Sequence, residues 1–347
     1  MGRLIRAIAL LALSGAIAAW AGPPATVVPA DDAYHLKYWP NTPALAAYTE
    51  WWYFNLLDTT QNVQAVLVYF ITNPDQAGSA PAAGNMVAIA YTPGGVTTEV
   101  DLSPVSAFSA AYNLADVQLG GNTIQVTGDN MYQLTGASQD GAIVWDLTFN
   151  REAQSFQGLD LAALGAQPWE KMSWLVYMPR AGVTGQLTVN GTAYTINGSG
   201  YHDHNWGEWI QSDVLWNWAQ YSQNGMWFDI YDFVGEANGK AHVGINGATF
   251  EFNKSQYQLV HTKWAYDSVN HVNYPIQTKF NGDNGTEQLE MVMNVSQTTP
   301  LANGFPYPIP EYIIYEQTTT YSGQVVANGI TLNFSGEGFK EYTVNRP

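Results

Sequence analysis

The run Tyr201-His202-Asp203-His204-Asn205-Trp206-Gly207 places two imidazoles, a carboxyl and an amide side by side in a chain of which only 12% is charged. On an extended backbone alternate side chains share a face, so His202, His204 and Trp206 point one way and Asp203 and Asn205 the other. Such a set suits acid–base or water-positioning chemistry, in which an imidazole or a carboxyl moves a proton to or from a reacting group. Two parallel imidazoles could instead hold zinc, but zinc needs a further donor. Glu208, Asp213 and His242 are candidates by elimination only, which makes metal binding the lesser reading. A purely structural use also fits: a polar corner whose His and Asp side chains hydrogen-bond backbone as the chain crosses between domains.

A second acid lies downstream. Asp229 sits in the aromatic run Trp227-Phe228-Asp229-Ile230-Tyr231 and shares a face with Trp227 and Tyr231. Burial among rings disfavours a carboxylate and turns the group into a proton donor near neutrality. Asp232, on the opposite face, reads as solvated. Trp51, Trp52, Trp216, Trp218 and Trp227 either fill a core or line a cavity for an apolar ligand, with ring faces available to a developing cation. Trp216 and Trp218 share a face, whereas Trp51 and Trp52 oppose one another. Glu50 is either a second buried acid or a strand-edge residue tied to a turn.

These residues must be positioned by strands. The 347-residue chain has thirteen Trp, twenty-one Tyr, thirteen Phe and thirty-two Gly, and its apolar residues alternate in short segments between Gly-, Asn- and Asp-rich turns. That pattern predicts an all-β protein, a sandwich or barrels. Strands are expected at 63–71, 86–91, 123–126, 142–149, 186–189 and 192–196, with the last two joined by a hairpin at Asn190-Gly191. A meander follows over 214–221, 226–234, 242–252, 256–266, 274–281, 288–295, 312–326 and 330–339. Residues 153–166 read as a short helix or an irregular excursion.

Twelve basic against twenty-nine acidic residues give a formal charge of −17, which argues against nucleic acid or an anionic membrane as partner. The absence of cysteine excludes disulfides, thiolate metal sites and a cysteine nucleophile. No Gly-x-Ser-x-Gly, phosphate loop or dinucleotide fingerprint occurs. Arg3 and Arg6, the apolar run Ala7–Ala19 and Ala19-Trp20-Ala21 read as a secretory signal peptide over residues 1–21, so a secreted or periplasmic protein with no membrane span after cleavage is expected. Glu50–Phe54 leading into a strand ending at Tyr69-Phe70 is echoed by Leu215–Tyr221 leading into Trp227–Phe233. The echo suggests two related halves, residues 22–199 and 200–347.

Glu50-Trp51-Trp52-Tyr53-Phe54 followed by Gly200-Tyr201-His202-Asp203-His204-Asn205-Trp206-Gly207 resembles the hydroxyneurosporene synthase (carotenoid 1,2-hydratase) and AttH-like family, to which kievitone hydratase and fungal Diels-Alderases are related. The resemblance implies two packed lipocalin-like barrels with a ligand site near their interface. It also implies an apolar, unsaturated substrate of isoprenoid or polyketide type and no cofactor. A neutral carboxyl would protonate an alkene, rings would stabilise the cation and a His-oriented water would attack it. His204-Asn205-Trp206 matches the His-x-Trp element of the hydratases. Their downstream Tyr-x-Asp is altered, because Asp229-Ile230-Tyr231 runs in the reverse order. The site expected on these grounds comprises His202, Asp203, His204, Trp206, Asp229 and Tyr231, with Glu50, Trp51, Trp52, Trp216, Trp218 and Trp227 contacting the substrate. A non-catalytic carrier of an apolar ligand is the alternative.

Overall fold

The computed structural model describes residues 27–39, 45–78, 80–301 and 312–347; the expected signal peptide lies outside the described residues. Among these, the chain forms strands and a few 3-10 turns of three or four residues, and no helix is long and apolar enough to cross a membrane. The all-β class follows from the aromatic and β-branched alternation, because such side chains fit a pleated, half-buried surface.

Two antiparallel sheets are built on one plan. The first curls into a nearly closed barrel and the second into a half-barrel, an arrangement of two lipocalin-like units. In each, the opening strand is central. Tyr48–Asp58 pairs with Val63–Thr72 on one side and with Thr192–Glu208 on the other. Trp216–Gln223 pairs likewise with Met226–Phe233 and with Ile330–Asn345. The echo between the aromatic hairpins is therefore also an echo of position. The chain changes sheet between Glu208 and Trp216. Positions 199 and 200 lie inside the Thr192–Glu208 strand, which pairs within the first sheet throughout.

Three Asn-Gly hairpins form as their dipeptides require, with left-handed backbone at both residues: Asn190 and Gly191 (φ 49° and 78°), Asn224 and Gly225 (54° and 77°), Asn328 and Gly329 (52° and 74°). Such turns match the twist of the flanking strands. A fourth, Asn246-Gly247 (49° and 87°), breaks the continuous strand expected over 242–252 into Gly239–Ile245 and Ala248–Asn253. Residues 153–166 are not helical either. Phe156–Ala163 is a strand that pairs with Lys171–Val189 through two register shifts, and its weak alternation, with Leu161 at φ 46°, hid it.

Side-chain alternation divides the interior. Trp52, Phe54, Leu56, Tyr69, Trp145 and Phe149 fill the first barrel. Tyr53, Val87, Trp174, Tyr201, Trp218, Tyr231 and Ile314 form a second apolar layer, where the outside of that barrel meets the second sheet. Tyr221, Phe228, Phe252 and Phe280 fill the half-barrel.

Candidate functional site

The motif strand lies mid-sheet, hydrogen-bonded to Tyr48–Asp58 on one edge and Lys171–Val189 on the other. Both faces of the run Tyr201–Gly207 are buried, one inside the barrel and the other against the second sheet, and they do different things. Gly207 has φ 151°, and a Cβ there would meet the Lys171 carbonyl oxygen at 2.1 Å. The final residue of the motif is thus glycine because a neighbouring backbone occupies the side-chain position. Gly207→Ala is expected to cost about 1–3 kcal/mol, measured as a lowered urea midpoint with unchanged slope.

On the first face, His202, His204 and Trp206 point into the barrel. His202 Nδ1 lies 2.9 Å from the Tyr53 carbonyl and Nε2 2.9 Å from Asp32 Oδ2. His204 Nε2 lies 2.8 Å from Glu50 Oε1, and its Nδ1 faces Asp32 Oδ1 at 3.2 Å. Tyr132 donates to Asp32 at 2.6 Å and Tyr48 to Glu50 at 2.5 Å. Burial alone would push both carboxyls up, but the neighbouring imidazoles outweigh it: His202 and His204 hold Asp32 low, and His204 and His35 hold Glu50 low. Burial opposes charge on His204 too, and Asp32 and Glu50 overcome it, raising the imidazole. Asp32 belongs to the Pro29–Asp32 turn, so this network fastens the N-terminal segment to the barrel.

On the second face, Tyr201, Asp203 and Asn205 look out of the barrel toward the second sheet. Asp203 and Asn205 line a chamber walled by Trp51, Tyr53, Trp174, Trp216, Trp218 and Tyr231. An adjoining chamber shares Trp51, Tyr53, Trp216 and Glu341 and adds Glu316. Their volumes are about 50 and 40 Å³, room for a few waters each. The Tyr201 hydroxyl lies 2.8 Å from Asp203 Oδ2 and 2.6 Å from Asp229 Oδ2. A phenol carries one proton, so it donates to one carboxyl while the other, as an acid, donates to the phenol oxygen. Asn205 donates to Asp203 Oδ1 at 3.0 Å. Burial drives Asp203 up to about 7, with Tyr201 and Trp174 partly opposing, and drives Asp229 well above the ordinary carboxyl range.

A second acid pair faces the same space. Glu316 and Glu341 sit opposite each other on adjacent strands, with Tyr53 donating to Glu316 at 3.2 Å and the Trp216 indole to Glu341 at 2.6 Å. Burial raises both; the neighbouring Glu341 pushes Glu316 further, well above its ordinary value, whereas hydrogen bonds from Trp216 and Glu316 partly offset the rise at Glu341. Because its folded pKa exceeds its unfolded value of about 4.3, Glu316 favours the folded state fully only below that pH, and the benefit is lost as pH rises through the folded pKa. Glu316→Gln, which keeps the Tyr53 acceptor, is expected to gain about 1–2 kcal/mol at pH 8 and little at pH 4, read from denaturant midpoints at the two pH values.

No protein-family profile matches the sequence, and no curated protein matches it. Solved structures do. A candidate AttH protein from Nitrosomonas europaea superposes with a TM-score of 0.69 at 14% identity, over 90% of this chain and 94% of the other. Kievitone hydratase from Nectria haematococca superposes with a TM-score of 0.61 at 19% identity, over 93% and 96%. This chain has their fold.

Within this AttH-type fold the expected site residues separate. Asp203, Tyr231, Trp51, Trp216 and Trp218 line the chamber between the sheets, and Asp229 joins it through Tyr201. His202, His204, Trp206, Glu50 and Trp52 lie in the barrel network instead; Trp52 stacks on His204 with ring centroids 4.4 Å apart. Trp227 stacks on Phe156 at 5.9 Å, away from the chamber-lining residues. Neither Glu208, Asp213 nor His242 completes a metal donor set with the two imidazoles among the described residues. Asp232 is not solvated: it is buried, paired with Lys254 and bonded by the Tyr257 hydroxyl at 2.8 Å. Sequence reasoning passed over Tyr53, Trp174, Glu316 and Glu341. Glu316 carried the same signal as Asp229, a lone carboxyl in the aromatic strand Tyr312–Ala327.

Proposed function

We propose that the chain is a hydratase-like enzyme that adds water to, or shifts, a carbon–carbon double bond of an apolar small molecule, isoprenoid- or polyketide-like, at the chamber between the two sheets. The observation that carries this reading is Asp203: a buried acid on an indole-walled chamber, tied through one phenol to a second buried acid. The shared fold with kievitone hydratase and the resemblance of the Glu50–Phe54 and Gly200–Gly207 motifs support the same class. The N-terminal sequence alone supports export.

Protonated Asp203 gives its proton to one alkene carbon, its O–H bond breaking as the C–H bond forms. The cation left on the adjacent carbon faces the rings of Trp51, Trp174, Trp216 and Trp218, whose π-faces attract positive charge. A water in the chamber then bonds to that carbon and releases a proton to the Asp203 carboxylate, restoring the acid. Tyr201 and Asp229 can exchange a proton with Asp203 between turnovers. Transfer of a proton from a neighbouring carbon to the Asp203 carboxylate, in place of attack by water, breaks that C–H bond, forms the shifted double bond and restores the acid. The chambers are smaller than a whole isoprenoid, so a ligand of that size parts the rings on entry.

The test is incubation of purified protein with a panel of unsaturated isoprenoids and polyketides, followed by mass spectrometry. A product heavier by one water, or an isomer of unchanged mass, supports the proposal when Asp203→Asn abolishes it. Ligand retained unchanged by the wild-type protein makes the chain a carrier.

A further inference from the structure

We propose that His35, Glu50 and His204 form a divalent-metal site of zinc type that clamps the N-terminal segment onto the barrel, on the face of the motif strand opposite the chamber. The three donor atoms, one from each side chain, all lie within 4.8 Å of one another. His204 Nε2 and His35 Nδ1 converge on the same Glu50 oxygen, at 2.8 and 3.2 Å. Zinc bonds of about 2.0–2.2 Å set tetrahedral donors about 3.3–3.6 Å apart, so the His204–Glu50 pair would open by about half an ångström, while the His35–Glu50 pair is already near that spacing. Two nitrogens and one carboxylate oxygen, with the remaining position left to water, are a donor set that zinc accepts.

The surroundings fit a built site. The far nitrogen of His204 faces Asp32 Oδ1 at 3.2 Å, the far oxygen of Glu50 accepts from the Tyr48 hydroxyl, and the His35 backbone N–H is shared by both Glu50 oxygens, at 2.9 Å from Oε1 and 3.2 Å from Oε2. Metal-bound imidazoles and carboxylates are oriented by such outer partners. The His35 ring is fixed by stacking on Trp206, with centroids 3.6 Å apart and planes within 2°. Asp32 and Glu50 place two buried carboxyls beside these imidazoles, a counter-charge that suits a divalent ion. His35 is 17% exposed, so the site is reached from the solvent side, and its ligands come from both the N-terminal segment and the barrel wall. The ion would therefore join the two covalently distant parts.

The experiment uses tag-free full-length protein, stripped with chelator and titrated with zinc or cobalt(II). Expected are one zinc per chain, a raised thermal midpoint, and the visible bands of tetrahedral cobalt(II). His35→Ala, at the exposed side of the site, should keep the native circular dichroism and lose all three responses. Tyr48→Phe should weaken zinc by about 10–100-fold, and exposed His271→Ala should change nothing. Absence of stoichiometric zinc, or a cobalt spectrum that survives His35→Ala, overturns the proposal. Neither outcome bears on Asp203, whose role is read by turnover.

Discussion

Asp203→Asn is expected to lower turnover by about 10²–10⁴-fold in a protein that still folds and still binds its ligand. The substitution keeps the size of the side chain, leaves an oxygen to accept from Asn205 and sets an amide N–H that donates to the Tyr201 oxygen, but it removes the acidic chamber-facing proton that Tyr201 links to a second acid. With Asp203 acting on the reacting atoms, as proposed, the loss should fall on kcat with little change in ligand affinity. Asp229→Asn should be milder, since Asp229 acts through Tyr201. The pH dependence follows from the proton on Asp203. Burial holds that carboxyl up to about 7, so the acid form prevails below this pH and turnover should fall as pH rises past it. The loss on the alkaline side should be absent from whatever residual activity Asp203→Asn retains. Initial rates across pH for both proteins check this.

His204→Ala is expected to cost about 3–5 kcal/mol of folding stability, the largest effect foreseen on the fold. His204 lies fully buried between Asp32 and Glu50, stacks on Trp52 and lies tilted against Trp206. Its removal leaves two buried carboxylates with one imidazole fewer and a void against Trp52. Breaking such a group by deleting one partner costs far more than the intact arrangement contributes. Chemical denaturation followed by tryptophan fluorescence, with chelator present so that no metal contributes, gives the number. A cost below about 1 kcal/mol would mean that the network does not hold the barrel end together.

Much of this division was legible in the sequence. Strand alternation put His202, His204 and Trp206 on one face and Asp203 and Asn205 on the other, and the strand is extended there. What alternation does not tell is which face looks onto the chamber between the sheets. That depends on the pairing of Tyr201 with Asp229 and of Tyr53 with Glu316 across the two sheets, contacts between positions far apart in the chain. Asp32 and His35 were invisible for a related reason: Asp32 ends one short 3-10 turn and His35 precedes the next, a stretch without period, and only the fold brings them to Glu50 and His204. Asn246-Gly247, in contrast, carried a hairpin signal as strong as those of Asn190-Gly191 and Asn328-Gly329, and the strand drawn across it disregarded that chemistry.

The account rests on two faces of one strand having different duties. The direct test is the single-turnover rate of Asp203→Asn and His204→Gln side by side, at a temperature where both are folded by circular dichroism. The expected result is a loss of about 100-fold or more for Asp203→Asn and less than about tenfold for His204→Gln. A folded His204→Gln protein without turnover, beside an Asp203→Asn protein that retains it, would place the chemistry on the other face and contradict the account.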